Sequence, residues 1–60
     1  MDSERLERAK SRLNAYYDAE LTVLSGQAYS MGTRSLTRAN LSEIRRTIGE
    51  LEKQVDELTN

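Results

Sequence analysis

The chain has 60 residues, of which nine are basic and ten acidic, and it contains no cysteine and no histidine. This composition excludes disulfide bonds and the usual zinc ligand sets, and a net charge of -1 argues against a protein whose main task is to neutralise phosphates. No apolar run approaches the roughly 18–20 residues of a membrane span, and the charged N-terminal sequence lacks the apolar stretch of a signal peptide, so we expect one cytoplasmic domain over residues 1–60.

The first predicted element is an amphipathic helix over residues 3–25. Steps of three and four residues between apolar side chains build one stripe along a helix, and this stripe is expected to enter the core. Its predicted members are Leu6, Ala9, Leu13, Tyr16 or Tyr17, Leu21 and Leu24. Because Gly26 suits the left-handed position that follows a helix, the helix is expected to end at Ser25.

A β-hairpin is predicted next, over residues 27–36. Two short segments rich in Ser, Thr and Tyr, residues 27–30 and 33–36, are its expected strands. An irregular loop of the same ten residues is the alternative.

The turn chemistry favours the hairpin. A type I turn over Ser30 and Met31, followed by Gly32 in a left-handed conformation, closes a hairpin with a three-residue loop. Because an isolated hairpin is unstable in water, it must pack on the helices. Tyr29 and Leu36 are the expected inward anchors.

The second helix is predicted over residues 37–59, and its apolar pattern is the strongest signal in the sequence. Six apolar residues spaced three, four, three, four and three apart form an unbroken heptad seam: Leu41, Ile44, Ile48, Leu51, Val55 and Leu58. Thr37 is the expected N-cap, with Leu36 and Leu41 as a hydrophobic staple around it. Asn40 with Glu43 is a competing cap three residues later.

Two helices of similar length joined by a compact link predict antiparallel packing. The expected fold class is therefore α+β, a helix–β-hairpin–helix (αββα) arrangement of two antiparallel amphipathic helices with a short two-stranded hairpin. Charges agree with this direction, because acidic and basic residues of the two helices then lie near each other. The expected pairings are Asp18 and Glu20 with Arg45 and Arg46, and Arg5, Arg8 and Arg12 with Glu52, Asp56 and Glu57.

No catalytic, cofactor-binding or metal site is predicted. General acid–base catalysis needs a group that titrates near neutrality, and the chain has neither His nor Cys. Lys10 and Lys53 fall on helix faces dense with other charges, where lysines stay solvated. The acidic residues near the C-terminus spread around one helix, whereas metal ligands must converge. We therefore expect a non-enzymatic protein, without a cofactor, that acts through its surface.

The hairpin end is the candidate interaction surface. Four arginines fall in a thirteen-residue window whose only acidic residue is Glu43, and two hairpin side chains lie beside them. The candidate residues are Tyr29, Met31, Arg34, Arg38, Arg45 and Arg46. Met31 is expected to be exposed at the hairpin tip. Such a positive end fits an acidic protein ring or a nucleic acid backbone. Salt bridges to Asp18 and Glu20 are the plainer interpretation.

One glycine stands inside the second predicted helix. Gly49 costs about 1 kcal/mol relative to Ala there and falls outside the heptad seam. A close backbone approach from a neighbouring subunit explains it, and so does a tolerant surface position.

Residues 32–52 resemble the head-to-tail joining (head-completion) protein W family of tailed phages. That family has a turn glycine, a basic second strand ending in an apolar residue and Thr, and then a capped helix. The matching positions are Gly32, Arg34, Leu36, Thr37, Leu41, Ser42, Glu43, Ile44, Arg45, Arg46, Ile48, Glu50, Leu51 and Glu52. The family order of helix, hairpin and helix covers nearly the whole chain. Its hairpin is longer, and it carries a further C-terminal tail that matters for its activity, so the resemblance does not extend to a step that depends on this tail.

The resemblance implies a role in virion assembly. Proteins of this family bind in a ring beneath the portal of a DNA-filled head, help to seal it and create the docking site for the tail. They are non-enzymatic and are monomers until they assemble. The segment Arg34 to Arg46 would then face the neighbouring ring protein or the DNA exit channel.

Two other functions are compatible with the residues. The heptad seam of the second helix predicts a self-associating coiled-coil adaptor or regulator that forms a dimeric four-helix bundle. The four arginines predict a small nucleic-acid-binding module, although the near-neutral net charge argues against it.

Overall fold

The computed structural model describes residues 2–59 and places five elements in the order helix, strand, strand, short 3-10 helix and helix. They are α1 (Asp2–Leu24), β1 (Tyr29–Met31), β2 (Arg34–Leu36), the 3-10 helix Arg38–Asn40 and α2 (Leu41–Thr59). The predicted helix–β-hairpin–helix architecture is thereby confirmed, and the irregular loop is wrong. Met1 and Asn60, the ends of the predicted domain, lie outside the described residues.

The end of α1 follows from one glycine. Gly26 has a φ of 92°, in the left-handed region that side-chain-bearing residues rarely adopt. Its N–H donates to the carbonyl of Val23 at 3.0 Å, and the N–H of Gln27 donates to the carbonyl of Thr22 at 3.2 Å. These two bonds form a Schellman motif, which satisfies carbonyls that the last turn would otherwise leave without partners. The predicted stop after Ser25 is correct to one residue.

The hairpin turn differs from the predicted one. β1 and β2 are antiparallel, with Tyr29 opposite Leu36 and Met31 opposite Arg34. Only Gly32 and Thr33 therefore lie in the loop, and the expected three-residue loop is wrong. Gly32 has a φ of 61° and no other loop residue has a positive φ, which is the pattern of a type II′ turn. This turn matches strand twist better than a type I turn does, so Met31 joins β1.

The second helical segment begins at the predicted N-cap Thr37, and the competing cap at Asn40 is wrong, because Asn40 is the N3 residue of the same capping box. The side-chain oxygen of Thr37 accepts from the N–H of Ala39 at 3.3 Å, and the Asn40 side chain accepts from the N–H of Thr37 at 2.9 Å. This reciprocal arrangement is a capping box. It encloses one 3-10 turn, and α2 begins directly after it at Leu41.

The core lies between the two helices and under the hairpin. Its buried residues are Ala9, Leu13, Ala19, Val23, Leu36, Ile44, Ile48 and Leu51. The heptad seam of α2 is confirmed from Leu41 to Val55, which pack against the core at its two ends, whereas its predicted last member, Leu58, is half-buried and outside the core cluster.

The predicted stripe of α1 is wrong at its C-terminal end. Leu21 is 68% exposed and Leu24 is 42% exposed, while Ala19 and Val23 are fully buried. The smaller residues face α2 because the stripe that continues from Leu13 passes through them and not through the leucines.

The helices are antiparallel, and contacts between their side chains show it. The Tyr17 hydroxyl donates to Oε2 of Glu52 at 2.6 Å, and Nε of Arg45 donates to Oε2 of Glu20 at 3.0 Å. The step from Tyr17 forward to Glu20 along α1 corresponds to the step from Glu52 back to Arg45 along α2, so the two helices run in opposite directions. Of the predicted ion pairs, Glu20 with Arg45 is confirmed. In the described part of the chain the remaining predicted pairs do not form.

Candidate functional site

The two hairpin residues of the predicted surface pack inward. Tyr29 and Met31 are two positions apart on β1, so their side chains share one face of the strand. Both are half-buried and contact the core cluster. The prediction that Met31 is an exposed tip residue is wrong, because the two-residue turn places it in the strand.

Arg34 is engaged with α2. It lies opposite Met31 on the side of the hairpin that faces the helices, since directly paired residues share a face. Its Nη1 and Nη2 donate to the two carboxylate oxygens of Glu43 at 2.8 and 3.1 Å. This bidentate bond lowers the pKa of the Glu43 carboxyl and raises the pKa of Arg34. The only acidic residue of the basic window therefore neutralises one of its four arginines.

The three other arginines of the window lie on the surface. Arg45 forms its ion pair with Glu20 across the helix interface. Arg38 and Arg46 are exposed, and within residues 2–59 neither forms a salt bridge. The predicted basic surface therefore keeps two cations that form no salt bridge with a described residue. The structure does not gather all six candidate residues into one exposed patch.

A second set of arginines lies at the opposite end of the domain. Arg5, Arg8 and Arg12 line a hollow of about 200 Å³ together with Ala9 and Gln54. Gln54 provides no negative charge, and no salt bridge reaches the three arginines from any described residue. We call Arg5, Arg8 and Arg12 the α1 arginine strip.

Sequence reasoning treated the α1 arginine strip as internally paired and overlooked it as a site. The spacing of three and four residues is the signal that places these side chains on one helix face. Of the acids assigned to them, Glu52 instead accepts a hydrogen bond from the hydroxyl of Tyr17, and neither Asp56 nor Glu57 forms a salt bridge with a described residue. That hydrogen bond also raises the pKa of Tyr17.

A larger hollow continues from the strip toward the hairpin. It has a volume of about 510 Å³. Its lining comes from α1, the tip of β1 and α2: Ser11, Arg12, Ala15, Tyr16, Met31, Thr47 and Leu51. Arg12 lines both hollows, so the positive strip and the larger hollow are continuous.

This surface exposes charged and apolar side chains next to each other. Among residues 2–59 no three acidic side chains come together in an arrangement that holds a metal ion. No described helix has the length and apolar character needed to cross a bilayer. What the surface offers is exposed guanidinium groups beside an open hollow with an apolar floor.

The structure thus defines a small helix–hairpin–helix domain with exposed basic side chains on its surface. The chain belongs to the DUF6148 family, a family of unknown function, which it matches over residues 1–60. No match was found to a curated protein or to a solved structure.

Proposed function

We propose that this protein is a non-enzymatic virion-assembly protein of a phage or prophage, a head–tail connector component that docks at the portal and helps complete the head for tail attachment. It acts in the host cytoplasm or in the virion. It is a monomer in solution and joins a ring when it assembles. Its partner is the portal or another connector ring protein, and contact with DNA has weaker support.

The resemblance of residues 32–52 to the head-completion family is the observation that carries this proposal. Residues of that segment have specific structural roles here. Gly32 adopts the left-handed conformation of the hairpin turn, and Thr37 closes the capping box. Ile44, Ile48 and Leu51 form the buried seam of α2. The order helix, hairpin and helix, which the resemblance implies, is also the order of the fold.

Both alternatives receive less support from the packing. A coiled-coil adaptor needs the heptad seam for a second copy, yet the seam is buried against the α1 helix of the same chain. A nucleic-acid-binding module needs the four arginines of the basic window, yet Arg34 and Arg45 are already ion-paired.

Co-elution with the portal tests the proposal. The purified protein is mixed with the purified portal ring encoded in the same phage or prophage genome, and the mixture is analysed by size-exclusion chromatography and sedimentation. We expect the protein to elute with the ring and to sediment as a monomer when alone. The control is the portal ring of an unrelated phage, which should leave the protein in the monomer fraction.

Absence of co-elution with the cognate portal and with its connector complex would contradict the proposal. A stable dimer of the isolated protein would favour the hypothesis of a self-associating coiled-coil adaptor. A genome neighbourhood without terminase, portal or capsid genes would remove the basis of the assignment.

A further inference from the structure

The α1 arginine strip carries positive charge that no salt bridge of the described side chains neutralises, although Glu4 and Glu7 line a neighbouring hollow with Arg8. Arg5, Arg8 and Arg12 are three and four residues apart, so their side chains follow one line along the helix. They are exposed, and among the side chains that the structure describes, those of residues 3–59, no carboxylate lies within salt-bridge distance of them. Across the hollow that they line, α2 contributes the neutral side chain of Gln54. The strip is therefore available to anionic groups from outside.

The strip ends at an open hollow whose floor is apolar. Beyond Arg12 the lining passes to Ala15, Met31 and Leu51, with Tyr16 beside them. Hydroxyl groups of Ser11 and Thr47 stand at the same hollow. A volume of about 510 Å³ is enough for a bulky apolar side chain. An apolar anchor set beside charged partners is the arrangement typical of peptide-binding surfaces.

We propose that this surface binds an acidic segment of a partner protein, with one bulky apolar side chain of the segment in the hollow and its carboxylates on the α1 arginine strip. The strip and hollow run from Arg5 to Tyr16, which along a helix is about 17 Å. An extended segment of about five residues has the same length. Guanidinium groups bind carboxylates with paired hydrogen bonds, as Arg34 and Glu43 do within this chain.

The apolar hollow is what favours a protein over a nucleic acid. A phosphate backbone fits the three arginines but provides no aliphatic group for the floor formed by Met31 and Leu51. This inference concerns the chemistry of a partner, goes beyond the proposed function and does not rest on it.

The test uses the intact isotope-labelled protein and a synthetic peptide, acetyl-Glu-Asp-Leu-Glu-Asp-amide, in an NMR titration at low salt. We expect the amide signals of residues 5–16, together with those of Met31 and Thr47, to shift as the peptide saturates. Affinity should fall as salt is raised, because exposed charges are screened. Replacing the central Leu of the peptide by Gly should weaken binding about tenfold, since the apolar anchor is lost.

Two double variants with the same net charge separate the α1 arginine strip from the hairpin end. R8Q/R12Q should weaken peptide binding about fivefold, because each exposed charge pair contributes little by itself. R38Q/R46Q removes the same number of charges from the other end of the domain and should leave binding unchanged. All four positions are exposed, so both variants are expected to fold, which circular dichroism will check.

Three results would overturn the proposal. The first is absence of shifts at millimolar peptide, or shifts confined to the surroundings of Arg38 and Arg46. The second is equal or tighter binding of a short single-stranded DNA through the α1 arginine strip, which would make nucleic acid the ligand. The third is a concentration-dependent dimer that R8Q/R12Q abolishes, which would make a second copy the occupant. None of these results depends on whether the portal is bound.

Discussion

The two helices of this domain face each other but build their shared core in different ways. In α2 a regular heptad spacing places Ile44, Ile48 and Leu51 in the interior. In α1 the interior at the hairpin end consists of the smaller residues Ala19 and Val23, and two leucines remain outside. α2 contributes large side chains and α1 contributes small ones at this end. The two helices can therefore approach closely, and their facing surfaces pack at high density.

The difference teaches that residue size does not identify a core face. α2 has one apolar stripe, so its orientation is determined by its own sequence. α1 has two candidate stripes that diverge after Tyr16, one through Ala19 and Val23 and one through Tyr17, Leu21 and Leu24. The hydroxyl of Tyr17 reaches Glu52 at the edge of the helix interface, which places this second stripe along that edge.

The largest expected effect comes from truncating the seam of α2. Ile44 has no exposed surface, so Ile44→Ala should cost about 2–5 kcal/mol of unfolding free energy through lost burial and a cavity. That is a large part of the stability of a small domain. Urea unfolding followed by circular dichroism measures it. The control is Leu21→Ala in α1, which should change stability by less than about 0.5 kcal/mol. Equal losses would mean that the exposed face of α1 is wrongly assigned.

The second test places a larger side chain on the face of α1 that packs closely against α2. Ala19→Leu adds bulk at a position with no exposed surface and should destabilise the fold by about 1–3 kcal/mol. Asn14→Leu adds an apolar side chain at an exposed position of the same helix and should have little effect. Thermal unfolding of both variants measures this difference in stability. If Ala19→Leu were neutral or stabilising, the two helices would not be packed closely at this position.

Replacement of Gly49 or Gly26 by Ala should change the stability of the protein in opposite directions. Gly49 lies inside α2, and a Cβ there would meet no atom within 4 Å, so Gly49→Ala should stabilise the protein by about 0.5–1 kcal/mol. Gly26 has a positive φ at the end of α1, so Gly26→Ala should destabilise by about 1 kcal/mol although the space is open. Urea unfolding of both variants tests this. A loss of stability in Gly49→Ala would indicate a contact that the monomer fold does not contain.

The smallest effect is a pH dependence at the start of α2. The bond from Arg34 holds the pKa of Glu43 below its usual value of about 4.3. The stability that this ion pair contributes is therefore fully present at a pH above the usual pKa of Glu, and it is lost as the pH falls through the lower pKa of Glu43 in the folded state. Glu43→Gln should be less stable than the wild type at neutral pH, and the difference should disappear in strong acid. A difference that persists unchanged in acid would contradict the ion pair as its source.

Most of the fold was predictable because its signals are local. The heptad of α2, the capping residues Thr37 and Asn40 and the stop at Gly26 each depend on neighbours within a few positions. The hairpin was predictable as an element, but its register was not. A glycine at position 32 is compatible with both turn types, and the choice depends on how β1 meets the helices.

The candidate site was harder to predict, because charge compensation depends on distance in space. The basic window was identified from sequence, yet Arg34 and Arg45 are paired with Glu43 and Glu20. The α1 arginine strip was judged neutralised, yet no described acid reaches it. Which acids and bases meet depends on the rotation of each helix about its axis, and a net charge does not contain that information.

The sequence by itself determined the number, type and order of the elements and the buried face of α2, because periodicity, caps and turn residues act within a few positions of the chain. Tertiary structure alone decided which stripe of α1 is buried, where Met31 points and which arginines keep their charge uncompensated. These features depend on how two surfaces fit when they close on each other, and that fit selects between alternatives that are locally equivalent.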